Sequence, residues 1–193
     1  MNMKIMALGA YQTNCFILWA PGGKACLVVD PGYNPEQILS AIRMMDLELA
    51  AILLTHGHFD HVGAVKDLVA ETGCKVYIHE NELSLPQWLT EGPLYYTDLY
   101  KNFVEEAGLS LKVIHTPGHT PGSVCLLHQD VLIAGDTLFA GSCGRTDLPG
   151  GSWAELYQSL KKLAAMPGDY NVYPGHGEST TMEQERKYNP NLG

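Results

Sequence analysis

Four times along this 193-residue chain a short apolar run is followed at once by a glycine- or proline-flanked segment that presents histidine or aspartate. After Ala51–Leu54 comes Thr55-His56-Gly57-His58-Phe59-Asp60-His61, and after Leu111–Ile114 comes His115-Thr116-Pro117-Gly118-His119. After Val131–Ala134 comes Gly135-Asp136, and after Asn171-Val172-Tyr173 comes Pro174-Gly175-His176-Gly177. Glycine or proline flanks each of these segments, which fixes loops that bring a ligand inward. In an extended loop residues two apart face the same way, so His56 and His58 reach one ion, and Gly57 lets the backbone bend close to it. Asp60 and His61 fall on the opening turn of the next helix and face a different direction, suited to a second ion. Spacing leaves open whether His115 or His119 serves in the second loop.

Imidazole and carboxylate without thiolate suit zinc, iron, manganese or nickel, whereas calcium or magnesium would want oxygen throughout. A carboxylate such as Asp136 can bridge two ions about 3.5 to 4 Å apart, with a hydroxide between them as nucleophile. Metal binding brings the pKa of that water to about 7, so no separate strong base is needed.

Strand-like runs are also expected at Lys4–Leu8, Cys15–Trp19, Ala25–Val29, Val76–Ile78 and Val124–Leu127. Helical periodicity separates them. Asn34-Pro35-Glu36-Gln37 reads as a helix start, His61–Thr72 as a second helix closed by Gly73, and Ser152 with Glu155 as a capping box. The third helix then aligns Trp153, Leu156, Tyr157, Leu160 and Leu163 on one face. Hairpin-like runs early and strand-helix alternation later predict two packed sheets flanked by helices, α/β or α+β in class. No G-x-G-x-x-G follows a strand and no G-x-x-x-x-G-K-[ST] occurs, which removes dinucleotide and P-loop folds. The stretch from Asn81 to Glu106 holds Trp88, Tyr95, Tyr96, Tyr100 and Phe103, and reads as a helical cover before a substrate-facing or dimer surface.

Length and 46% hydrophobic content fit one domain over residues 1–193. The 21 acidic residues outnumber 12 lysines and arginines, which argues against a nucleic-acid partner. No apolar stretch approaches a membrane span, and the N-terminus lacks the charged region and cleavage site of a signal peptide. The five cysteines form no Cys-x-x-Cys pair and read as free thiols of a cytoplasmic protein, with Cys143 alone in a glycine-rich loop.

These residues resemble the H-x-H-x-D-H signature of the metallo-β-lactamase superfamily, met here as His56, His58, Asp60 and His61. Asp30 in Val29-Asp30-Pro31-Gly32, His119 in HTPGHT, Asp136 in AGDT and His176 in PGHG extend the likeness over essentially the whole chain. The resemblance implies an αββα sandwich with the site at the upper edge of its sheets. It implies one metal on His56, His58 and His119, a second on Asp60, His61 and His176, and Asp136 bridging both. His119 is thereby chosen over His115.

Within that superfamily the chain is similar to short, single-domain glyoxalase II-like hydrolases. Their GDTLF, GRTD-x-P-GG, GHG-x-x-T-T and NP segments stand here at 135–139, 144–151, 175–181 and 189–190. The resemblance implies two divalent ions, zinc first and iron or manganese as alternatives, and hydrolysis of small thioesters of the S-lactoylglutathione kind. The bridging hydroxide would attack the carbonyl, and Asp60 would orient it. Full-length glyoxalase II enzymes add a C-terminal helical domain that helps bind glutathione, and this chain ends too soon for one. Their post-aspartate loop carries a lysine and aromatics where this chain has Arg145-Thr146-Asp147. Arg145 is expected either to bind a substrate carboxylate or to pair with Asp147.

The competing enzyme is a persulfide dioxygenase, which shares the ligands and the GRTD loop but uses one iron and consumes oxygen. A non-catalytic metal-binding protein would lack part of the ligand set. A nuclease would carry an inserted domain and a basic surface, and a β-lactamase proper an export signal.

Overall fold

A computed structural model describes residues 1–192. Strands β1 (Asn2–Leu8), β2 (Thr13–Trp19) and β3 (Ala25–Val29) open the chain as an antiparallel meander. Helix α1 (Pro35–Met44) then crosses to β4 (Glu48–Leu53), which lies parallel to β3. Two short helices, α2 (Phe59–Val62) and α3 (Val65–Thr72), lead to β5 (Lys75–Ile78), and a brief β6 (Asp98–Leu99) closes a six-stranded sheet in chain order. The second sheet begins with β7 (Phe103–Glu106), β8 (Leu109–His115), β9 (Val124–His128) and β10 (Val131–Gly135), joined antiparallel. After the small hairpin β11 (Leu138–Phe139) and β12 (Ser142–Cys143), helix α4 (Trp153–Ala164) returns the chain to β13 (Asn171–Pro174), parallel to β10. The edge strand β14 (Thr180–Thr181) and helix α5 (Met182–Tyr188) follow.

Period-two alternation along the strands sorts the apolar side chains into three buried layers. On β3, Cys26 and Val28 face α1 and α3 with Ile38, Ile42 and Leu68, while Leu27 and Val29 face inward. There they meet Leu111, Val124, Leu126 and Ile133 of the second sheet. The far face of that sheet packs Ile114, Cys125 and Leu132 against Leu156, Leu160 and Leu163 of α4. The result is helix, sheet, sheet, helix, the four-layer sandwich expected.

Three local expectations are corrected. The helix expected over His61–Thr72 is two helices, broken at Gly63-Ala64, because Gly63 lies against the Gly32 carbonyl and the Ala64 N–H donates to Pro31 instead of continuing the ladder. Asn34 precedes α1 at φ 54° with no side-chain cap bond, so Pro35 rather than the asparagine side chain sets this start. The aromatic stretch is no helical cover: only Glu80–Ser84 is helical, as one 3₁₀ turn, and the rest is irregular up to the edge strand β6. The Ser152 cap forms, its hydroxyl accepting from the Glu155 N–H, although Trp153 stays half exposed while Leu156, Leu160 and Leu163 are buried.

A candidate binuclear metal centre

All the ligand-type loops leave the C-terminal ends of β3, β4, β8, β10 and β13 and meet at one edge of the sandwich. Close backbone approach makes this possible. A Cβ on Gly175 would overlap Asp136 Oδ1 and crowd the His61 ring, and a Cβ on Gly32 would overlap the Asp60 carbonyl. A register shift between Ile133 and Gly135 ends the β10–β13 pairing just before Asp136.

Five of the eight histidines converge there. His119 Nε2 stands 3.0 Å from His58 Nδ1, and His61 Nε2 stands 3.3 Å from His176 Nε2. His56, His58 and His119 form one group, and Asp60, His61 and His176 another, each with ligand atoms within 4.8 Å of one another. Asp136 lies between the groups. Its Oδ2 is 3.5 Å from His119 Nε2 and 3.6 Å from His176 Nε2, and its Oδ1 is 3.5 Å from His61 Nε2.

The hydrogen-bond network assigns the tautomers. The Thr55 hydroxyl gives its single proton to Asp30 Oδ2 at 2.6 Å, so its oxygen accepts from His56 Nδ1 at 3.1 Å. His61 Nδ1 donates to Asp30 at 2.9 Å, His119 Nδ1 to the Arg145 carbonyl at 2.8 Å, and His176 Nδ1 to the Tyr11 carbonyl at 3.0 Å. Four imidazoles therefore turn Nε2 inward, which is how outer partners prepare histidines for a metal. His56 Nε2 and Asp136 Oδ1 are buried without any hydrogen-bond partner. Acceptors facing acceptors at such distances repel unless a cation sits among them. Two ligands of one tetrahedral ion with bonds of about 2.0–2.1 Å lie about 3.3 Å apart, close to the separations found here.

Electrostatics agree. Burial, with the neighbouring imidazoles, holds His56 well below its ordinary value and His58 down at about 3; burial also lowers His119. Burial opposes charge on His61 too, but Asp136, Asp30 and Asp60 outweigh it and push it up to about 9. His176 is likewise raised against burial by Asp60 and Asp136. Burial disfavours charge on Asp60, yet its bond to His176 and the charge of His61 hold the carboxyl well below the usual range. The side of the pocket around His61 and His176 thus favours positive charge, while His56, His58 and His119 are held neutral, the form in which an imidazole can act as a ligand.

Asp30, His56 and His61 form a third close group, but Asp30 already accepts from the Thr55 N–H, the Thr55 hydroxyl and His61. We read it as the carboxylate that orients His61, not as a ligand; its left-handed backbone, φ 50°, is held at the same spot. His115 stands outside the centre, stacked on His79 at 4.1 Å and donating to the Pro121 carbonyl, and His128, at the end of β9, donates to the Ser110 carbonyl of β8. Arg145 forks onto Asp147 with two bonds of 2.7 Å, and the residue is among those lining the cavity over the centre.

Two positioning residues escaped sequence reasoning. Glu82, fully buried, accepts from the backbone N–H groups of Gly57 at 2.5 Å and Gly122 at 2.7 Å, tying the His56–His58 loop to the His119 loop. Asn14 on β2 donates to the Pro174 and Gly177 carbonyls and so holds the His176 loop. An acidic residue in a polar segment and an asparagine in a strand carry no sequence mark of either task.

No helix among the described residues is long and apolar enough to cross a membrane.

Comparison with known proteins places the chain in a family. The family model described as metallo-beta-lactamase superfamily matches residues 8–176. The hydroxyacylglutathione hydrolase GloC of Haemophilus influenzae is 35% identical over 210 residues, covering 100% of this chain and 98% of that protein. The crystal structure of BLEG-1 B3 metallo-β-lactamase superposes with a TM-score of 0.89 at 36% identity, covering 99% of each chain. TTHA1623 in a di-iron-bound form superposes with a TM-score of 0.85 at 36% identity, covering 97% of this chain and 98% of that one. With its four-layer sandwich, its histidine and aspartate clusters suited to metal ions, and a family match over most of its length, this chain belongs to the metallo-β-lactamase superfamily.

Proposed function

We propose that the protein is a binuclear metal-dependent hydrolase of small thioesters. One ion is held by His56, His58 and His119, the second by Asp60, His61 and His176, with Asp136 shared. The observation that carries this reading is the convergence of inward-facing imidazole nitrogens on an aspartate that reaches both groups. Zinc is the first choice; the di-iron-bound form of TTHA1623 keeps iron open.

When bound, the ions supply Lewis acidity and a water whose pKa lies near about 7. Asp60, held ionised, would accept a hydrogen bond from the attacking water and aim its oxygen; the Thr13 hydroxyl steadies that carboxylate by donating to Oδ2 at 3.3 Å. Asp30 and the Arg145 and Tyr11 carbonyls keep the imidazoles in register. Water adds across the C–S bond, and the products are a carboxylic acid and a thiol. A thiolate leaves without protonation, which suits a site whose histidines and carboxylates belong to the two ligand groups and leave no spare general acid for an amine. The similarity to the hydroxyacylglutathione hydrolase GloC supports thioester hydrolysis as the reaction.

The test runs thiol release from S-lactoylglutathione and a simpler thioester beside an oxygen-electrode assay with glutathione persulfide, on zinc- and iron-loaded protein. Thiol release without oxygen uptake is expected. Oxygen uptake by the iron form, with no thioester cleaved by either, would transfer the assignment to the dioxygenase.

A further inference from the structure

Above the centre opens a cavity of about 590 Å³, within the size range of small-molecule sites. Its walls beyond the ligand groups are mostly apolar: Tyr11, Phe59, Trp88, Leu89, Phe139 and Leu148. Trp88 is 66% exposed and Tyr11 59% exposed, and unlike the other exposed aromatics they share one apolar cavity wall. The wall is built in advance. Tyr11 and Phe59 meet edge to face at 5.4 Å, and the Phe59 N–H donates to the Leu89 carbonyl at 2.8 Å, fixing the Trp88-Leu89 turn to the ligand loop. The only lysine or arginine bordering the cavity is Arg145, whose guanidinium is forked onto Asp147. The chain as a whole carries a formal charge of −9.

From this juxtaposition we infer that the preferred substrate is an uncharged thioester with an aromatic or bulky apolar substituent, rather than one whose thiol arm carries carboxylates. The inference rests on the thioester reading above. An apolar group laid on Trp88 and Tyr11 removes exposed aromatic surface from water. A tripeptide thiol arm with two carboxylates would find one cationic side chain on the walls beyond the ligand groups, Arg145, already paired with Asp147, in a negatively charged protein.

The experiment compares S-phenylacetyl-N-acetylcysteamine, S-phenylacetylglutathione and S-lactoylglutathione on the zinc-loaded protein, with thiol release as the readout. The neutral aryl thioester should exceed S-lactoylglutathione in kcat/KM by at least about tenfold, with S-phenylacetylglutathione between them. Trp88→Ala should remove most of that advantage through KM with little change in kcat, and Trp88→Phe should retain it. A preference for S-lactoylglutathione, or an unchanged KM in Trp88→Ala, overturns the inference while leaving the thioester reading intact. Failure to cleave all three thioesters overturns both.

Discussion

Asp30 and His61, both fully buried, meet through a 2.9 Å bond from imidazole Nδ1 to carboxylate Oδ2. That bond fixes which nitrogen of His61 faces the centre. Asp30→Asn can offer an amide N–H to Nδ1 and so drive the ring proton onto Nε2, where a ligand lone pair is needed. The variant should fold, and its metal affinity should fall by about 10- to 100-fold. Chelator competition against the wild type measures this; unchanged affinity would remove Asp30 from the account.

Glu82→Ala strips the partners from two buried backbone N–H groups, those of Gly57 and Gly122. The cost should be about 2 to 5 kcal/mol of unfolding free energy. Denaturant titration of the metal-free protein isolates the effect from ligand binding, and a loss under about 1 kcal/mol would mean that water replaces the carboxylate.

Gly175→Ala places a methyl against Asp136 Oδ1 and the His61 ring. The variant should stay soluble yet retain markedly less metal. Gly73→Ala is the contrast: at φ 66° with open space around it, it should strain the backbone by about 1 kcal/mol and leave metal content unchanged. Equal metal content in the two variants would show that the centre does not depend on this close approach.

Much of this was legible because the signals were local. The strand Ala25–Val29 has the bounds its apolar run indicates, and the ligand-type residues stand just past strand ends, where loops must turn inward. What was hidden depends on tertiary approach. The break at Gly63 follows from the Gly32 carbonyl, 31 positions earlier in the chain, and Glu82 is buried only because two distant loops offer it N–H groups. Helix α5 went unread although Thr181-Met182-Glu183-Gln184 carries a capping signal; the Thr181 hydroxyl accepts from the Gln184 N–H at 3.2 Å. The aromatic stretch misled because burial and cavity lining both favour aromatics, and only the fold separates half-buried Tyr100 from exposed Trp88.

Asp147→Asn frees the Arg145 guanidinium at an exposed position. Catalysis of anionic thioesters should improve by about two- to fivefold in kcat/KM, the scale of an exposed ion pair, with neutral thioesters unaffected. No gain with the anionic substrates would mean that Arg145 does not reach the bound thiol arm.

Metal content bears most directly on the central claim. Elemental analysis of protein purified without chelator should give about two divalent ions per chain, falling together in Asp136→Ala because that carboxylate reaches both groups. A wild-type content firmly at one ion, or full content in Asp136→Ala, would contradict a shared binuclear centre.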